Sequence, residues 1–276
     1  MTQDTWNPQQ YERFRNERSQ PFYDLLALVR PRAGMRIVDL GCGTGELTAV
    51  MHRRLQACET VGVDSSQAML SRSAGFAGDG LRFVHRDIAA SDEVGVYDLV
   101  VSNAALQWLD GHDALLGRLT QMLVDGGQLA VQMPANFDHP SHTVAYEVAV
   151  EPPFRAALSG AIRSRPVLLP EEYATLLHRL GYREQHVRLQ VYGHQLPSRD
   201  DVVEWVKGTL LTDFQGRLPA DLWPRFVESY RERLRRCLDD TRPYFYPFKR
   251  ILFWASVSTV RCRPLIQRCG RPHACR

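Results

Sequence analysis

Residues 38–48 read VDLGCGTGELT. A short apolar run ends in an acid, glycines follow at 41, 43 and 45, and helix-forming residues come next. A glycine loop between a strand and a helix is the layout of a nucleotide site, because bare backbone can approach a ligand there. The spacing is G-x-G-x-G, not the G-x-G-x-x-G of dinucleotide binders. Asp39 stands where a phosphate would be repelled and a cation attracted.

Outward from this loop, apolar strand patterns alternate with helical ones. Strands are expected at 36–40, 60–64, 81–85, 97–102, 127–132, 183–192 and 250–257. Helices are expected at 45–55, 66–74, 112–123, 170–180, 199–211 and 219–238. Before them, residues 1–30 read as helix, with Pro21 starting a second run. The alternation predicts an α/β fold with a doubly wound, mostly parallel sheet. A single domain over 1–255 is expected, because neither 134–166 nor 193–248 has enough regular structure for a core of its own. Its cofactor-binding core is 30–135. Segments 1–29, 134–166 and 193–248 would form a lid over the carboxyl ends of the strands, where ligands of such sheets lie.

Bulk properties narrow the function. The net charge is +3, but the five arginines of residues 256–276, with no acid among them, leave residues 1–255 at −2. The body therefore lacks the basic surface expected of a nucleic-acid binder. The polar start, MTQDTWNPQQ, lacks the layout of a signal peptide, and no apolar run approaches membrane-spanning length; a cytoplasmic protein is expected. Six cysteines form no CxxC pair, and the three in the tail match no standard zinc spacing; reduced thiols and no metal site are the reading. Residues 256–276 are read as a disordered appendage.

The rest of the site is assembled from strand ends. Asp64 closes the second strand 19 residues beyond Gly45, where a carboxylate accepts from ribose hydroxyls. It opens DSSQAM (64–69), which contributes Ser65 and places Met69 against an adenine face. In HRDI (85–88), Asp87 would accept from an adenine amino group and the Ile88 N–H would donate to the ring. Asn103 ends the fourth strand. With Asp39, Gly41, Gly43 and Gly45, these residues suit a cationic nucleoside that carries no phosphate: S-adenosyl-L-methionine.

Through 38–45, 64–69 and 87–88 the chain resembles the class I S-adenosylmethionine-dependent methyltransferases. That resemblance implies a seven-stranded sheet with helices on both faces and a reversed last strand. More specifically, WNPQQYERFRNERSQP (6–21), NAALQWL (103–109), AVQMPAN (130–136) and HQLPS (194–198) are similar to segments of the trans-aconitate methyltransferases. WVKGT (205–209) and RPYFYPFKR (242–250) resemble further segments of that group. The implied reaction converts one carboxylate of a small tricarboxylic acid to its methyl ester. By resemblance, the Trp6–Arg18 helix covers the cofactor, so that Trp6 would face the substrate and Tyr11 and Arg18 the cofactor. Gln107 and Trp108 would flank the transferred methyl as the catalytic pair.

A carboxylate nucleophile is ionised at neutral pH and needs no general base. What it needs is desolvation, alignment and cations for the remaining carboxylates. Lys207 and Lys249 are the chain's only lysines among 34 basic residues, which makes Lys207, with Lys249 or Arg250, the expected substrate anchors. His139, His142 and His194 show no catalytic or metal spacing and read as surface or core residues. A malonyl-acyl carrier protein carboxyl methyltransferase is the alternative, since ALQW (105–108) resembles those enzymes too. The [DN]-P-P-[YF] segment of base methyltransferases is absent, its place being taken by NAAL (103–106).

Overall fold

The computed structural model describes residues 15–90, 96–158 and 167–257, the side chains of 15–18 excepted. Seven strands form one sheet: β1 (Arg36–Leu40), β2 (Glu59–Asp64), β3 (Leu81–His85), β4 (Tyr97–Asn103), β5 (Leu123–Pro134), β6 (Tyr182–Leu196) and β7 (Tyr244–Val257). Their order is β3-β2-β1-β4-β5-β7-β6. Strands β1 to β5 pair in parallel, and β7 inserts antiparallel between β5 and β6. β6 therefore runs parallel to β5, and the reversed strand is the last in the chain. Strand order turns at β1 and β4, which opens a crevice beyond their carboxyl ends.

Both sheet faces are buried, and side-chain alternation divides them. Ile37, Leu99, Val101, Ala130 and Leu252 pack toward α1 (Arg15–Leu26) and α2 (Glu46–Arg54). Val38, Val100, Val131, Ile251 and Phe253 pack toward α4 (His112–Gln121) and α7 (Pro170–Arg179), α3 being the single turn Gln67–Leu70. Burial of the α1 residues Phe22, Leu25 and Leu26 offsets the hydrogen bond that Pro21 forfeits, so the two helical runs expected before residue 30 are joined, from Arg15 onward, as one helix.

Segments 134–166 and 193–248, two of the three expected to form a lid, differ from expectation in one important respect. Neither has a core alone, but together they build one. Helices α5 (Pro140–Ala149), α6 (Phe154–Leu158), α8 (Asp201–Lys207), α9 (Leu210–Arg217) and α10 (Leu222–Cys237) share a buried cluster that includes Val144, Trp205, Phe214, Phe226 and Tyr230. It is fastened to the sheet by the far ends of β6 and β7, which pair from Tyr192↔Phe248 to Leu196↔Tyr244. Both strands are longer than their apolar pattern indicates, and Tyr244, Tyr246 and Phe248 of this ribbon belong to the lid core. The helix expected over 199–211 breaks at Gly208 and Thr209, and that break brings Thr209 and Leu210 to the cavity described below. No described helix is long and apolar enough to cross a membrane. The tail from residue 258 lies outside the described residues.

Candidate active site

A cavity of about 350 Å³ opens at the carboxyl ends of β1, β2 and β4 and extends beneath α5, α8 and α9. Its first half is built on backbone. At Gly41 (φ 81°) the chain turns so tightly that a Cβ would lie 2.2 Å from Ala105 Cβ, so only glycine fits. The Gly41 and Cys42 N–H groups donate to Val63 O at 2.8 and 3.0 Å. The Asp64 carboxylate accepts from Gly43 N–H and Ser66 N–H, each at 2.8 Å, and so ties the glycine loop to the end of β2. Gly41, Gly43, Asp64, Ser65, Met69, Asp87, Ile88 and Asn103 all line the cavity. The Asp87 carboxylate also accepts from Ala89 N–H at 2.8 Å, which fixes its direction.

Two residues of the glycine motif are placed otherwise than expected. The Asp39 carboxylate does not reach the cavity; it is 4% exposed and accepts from the Thr48 hydroxyl at 2.6 Å. β-strand alternation and the following helix turn it under the loop, where it holds α2 to β1. Burial raises its pKa to about 6, with the Thr48 hydrogen bond opposing and nearby Asp64 adding to the rise. Gly45 is the N-cap of α2 and does not line the cavity; a Cβ there would strike Phe83 at 2.6 Å and Ser73 at 2.8 Å. Its absence of a side chain serves packing.

Beyond Asn103 the backbone is strained. Ala104 has φ 57°, unusual for a residue with a side chain. Its carbonyl accepts from Gln107 Nε2 at 2.7 Å, which fixes the amide's orientation. Gln107 Oε1 and Asn103 Oδ1 are both buried with no partner among the described residues. A buried carbonyl oxygen without a donor is costly, so two of them on a cavity wall call for a ligand rich in N–H or positive charge. An ammonium-bearing nucleoside fits this wall.

The second half is aromatic. Trp108, Phe137, Tyr146, Trp205, Phe214 and Phe248 line it, together with His142 and Arg250. Arg250 is 5% exposed. Its guanidinium carbon lies 4.8 Å from the Phe248 ring centre and 6.0 Å from that of Tyr192, and Nη1 is 3.5 Å from Gln132 Oε1. The lysines are turned elsewhere. Lys207 donates to Glu204 at 2.7 Å and Lys249 pairs with Asp138; neither lines the cavity. Lys249 and Arg250 are adjacent on a strand, so they face opposite ways. Lys207 follows Trp205 by about 200° around α8, so the indole points inward and the amine outward. One acid, Asp213, borders this half and is held by Arg217 at 3.1 Å.

Comparison with known proteins fixes the lineage. A methyltransferase domain family matches residues 11–206. The chain belongs to the methyltransferase family. It is 43% identical over 258 residues to the trans-aconitate 2-methyltransferase of Deinococcus radiodurans, covering 91% of this chain and 98% of that one. It is 39% identical over 256 residues to the trans-aconitate 2-methyltransferase of Streptomyces avermitilis, covering 90% and 95%. Among solved structures, the YcgJ protein of Bacillus subtilis superposes with a TM-score of 0.57 at 13% identity, over 87% of this chain and 98% of that one. Phosphoethanolamine N-methyltransferase 2 of Haemonchus contortus, in complex with S-adenosyl-L-methionine, gives 0.51 at 16% identity, over 87% and 52%. At these identities the two structures attest the fold alone.

For this methyltransferase, Trp6 and Tyr11 lie outside the described residues, as does the side chain of Arg18. Sequence reasoning passed over most of the second half of the cavity. His142, Tyr146, Trp205, Phe214 and Phe248 come from α5, α8, α9 and β7, which only the fold brings together. The signal that was available lay in the periodicity: a helix over 201–207 that turns Lys207 away turns Trp205, two residues earlier, the opposite way.

Proposed function

We propose that this methyltransferase transfers the methyl group of S-adenosyl-L-methionine to one carboxylate of trans-aconitate, forming the monomethyl ester. The observation that carries the reading is Arg250: a buried cation in the acceptor half of a cavity whose other half is the glycine loop. A buried guanidinium held among aromatic rings suits a small polyanion, because it can take a carboxylate through paired N–H donors. The relatives' shared name, at about 40% identity over most of the chain, supports the same acid.

S-adenosyl-L-methionine supplies an activated methyl on sulfur. The chain's own residues bind and align. Gly41 and Gly43 admit the nucleoside, Asp64 holds its ribose, and Met69, Asp87 and Ile88 take its base. The carbonyl oxygens of Asn103 and Gln107 accept from its ammonium end. Trp108 closes the wall between the two halves and helps keep water from the reacting carboxylate. Arg250 anchors a carboxylate that is not methylated, which leaves the reacting one directed toward the methyl group. No described residue need remove a proton, since the acid is ionised at neutral pH.

The test is S-adenosylhomocysteine release by purified protein with trans-aconitate, cis-aconitate, citrate and isocitrate. Turnover with trans-aconitate and an alkali-labile product is expected. Silence with all four acids, while the cofactor still binds, would overturn the substrate assignment.

A further inference from the structure

A buried hydrogen-bond chain behind the acceptor half ends on His142. Its direction can be followed from a donor that has no alternative. The backbone N–H of Lys249 donates to Asn136 Oδ1 at 3.1 Å, so the amide nitrogen of Asn136 must face the other way. That nitrogen is 3.4 Å from the Tyr246 hydroxyl, which accepts from it. The Tyr246 proton is then directed to its other neighbour, Ser141 Oγ, at 2.8 Å. The Ser141 proton has two possible acceptors, Nδ1 of His139 and Nδ1 of His142, each at 3.0 Å. His139 Nδ1 already accepts from the Ser141 backbone N–H at 3.1 Å, as the N-cap of α5, and has only one lone pair. The Ser141 hydroxyl therefore donates to His142 Nδ1, and the ring proton of His142 sits on Nε2.

His142 is 4% exposed and lines the cavity, and no described group hydrogen-bonds its Nε2. The Phe137 ring meets it edge-on, with centres 5.4 Å apart, and the Phe248 ring lies 6.3 Å from the imidazole centre and 4.8 Å from the Arg250 guanidinium carbon. We propose that His142 is a substrate-binding residue that donates Nε2–H to a carboxylate of the acid, as the neutral counterpart of Arg250. The proposal rests on the polycarboxylate reading above. Burial, reinforced by His139, lowers the His142 pKa to about 3, which keeps the ring neutral wherever the acid is fully ionised. A neutral donor here holds a second carboxylate without burying a second cation. It also explains why four polar side chains from α5, β7 and the loop after β5 are spent on aligning one imidazole.

Two readouts test it. The first is the ring 15N spectrum of His142 in the complex with S-adenosylhomocysteine. The Nε2–H tautomer is expected, with an Nε2 proton signal that moves when trans-aconitate is added. The second is kinetic. His142→Phe is expected to raise KM for trans-aconitate by about 10- to 100-fold, with S-adenosylhomocysteine affinity, measured by calorimetry, unchanged. His142→Gln, whose amide N–H stands near the lost Nε2–H, should recover most of this. An Nδ1–H tautomer, an Nε2 signal indifferent to the acid, or a KM within about twofold of wild type for His142→Phe would overturn the proposal. Failure of the wild-type enzyme to turn over trans-aconitate is a different result: it sinks the substrate reading, while the tautomer still tests the alignment chain by itself.

Discussion

The two halves of the cavity are held in different ways. On the glycine-loop side the wall is backbone at strand ends, tied by Asp64 to Gly43 and Ser66 and pressed at Gly41 against Ala105. On the acceptor side the wall is side chains from four elements, set on an aromatic cluster in which Trp205 lies 4.5 Å from His194 and 5.8 Å from Phe248. A backbone wall changes little when side chains are altered. A side-chain wall can be re-specified by single substitutions. The first half thus suits an invariant ligand, and the second a ligand that differs among related enzymes.

Breaking the lid core should give the largest effect. Trp205→Ala removes a 1%-exposed indole and is expected to cost about 3–5 kcal/mol of stability, from lost burial and the cavity left behind. Hydrogen exchange should rise first in α5, α8 and the first part of β7, residues 244–248, with β1 and β4 still protected. Equal loss of protection across both regions would mean that they open as one unit. Asp64→Ala comes next. It removes both loop ties and the ribose acceptor, and cofactor affinity should fall by about 100-fold in calorimetry. A fall below about threefold would deny Asp64 its place in the site.

Asp39 sharpens the comparison because it belongs to the glycine motif yet faces away from the cavity. Its folded pKa of about 6 lies above the ordinary 3.8, so the native state holds the proton more tightly than the unfolded chain. The cost of burying the anion is absent below about pH 4, grows as pH rises through 6, and is constant above. Asp39→Asn should therefore gain stability relative to wild type between pH 4 and pH 8, by at most roughly 3 kcal/mol. Paired melting curves at the two pH values check the sign. The smallest effects belong to the lysines. Lys207→Met and Lys249→Met should leave KM for the acid within about twofold, since both amines pair with carboxylates outside the cavity.

The unequal construction also explains what could be read from the sequence. The first half is local: each of Gly41, Gly43, Asp64, Asp87 and Asn103 sits at or beside a strand end that its own neighbours define, so strand prediction places them at one sheet edge. Asp39 shows the limit of such reading, because a residue's position along a strand does not say which way its side chain turns. The second half is non-local. Ser141 meets Tyr246 across 105 residues and Asn136 meets it across 110, and no spacing rule links them. The rarity of lysine drew attention to Lys207 and Lys249, while strand alternation and the helical turn favoured Arg250 and Trp205. The long β6–β7 ribbon was missed for a related reason: its outer residues pack on the helices beyond the sheet, and Pro247, Lys249 and Arg250 interrupt the apolar run of β7.

The division of the cavity is tested most directly by titrating trans-aconitate into the S-adenosylhomocysteine complex of wild-type protein and of Arg250→Met. Saturable heat is expected with wild type and at least about 30-fold weaker binding to the variant, with S-adenosylhomocysteine affinity equal in both. Equal binding of the acid to the two proteins, or loss of cofactor affinity in the variant, would contradict it.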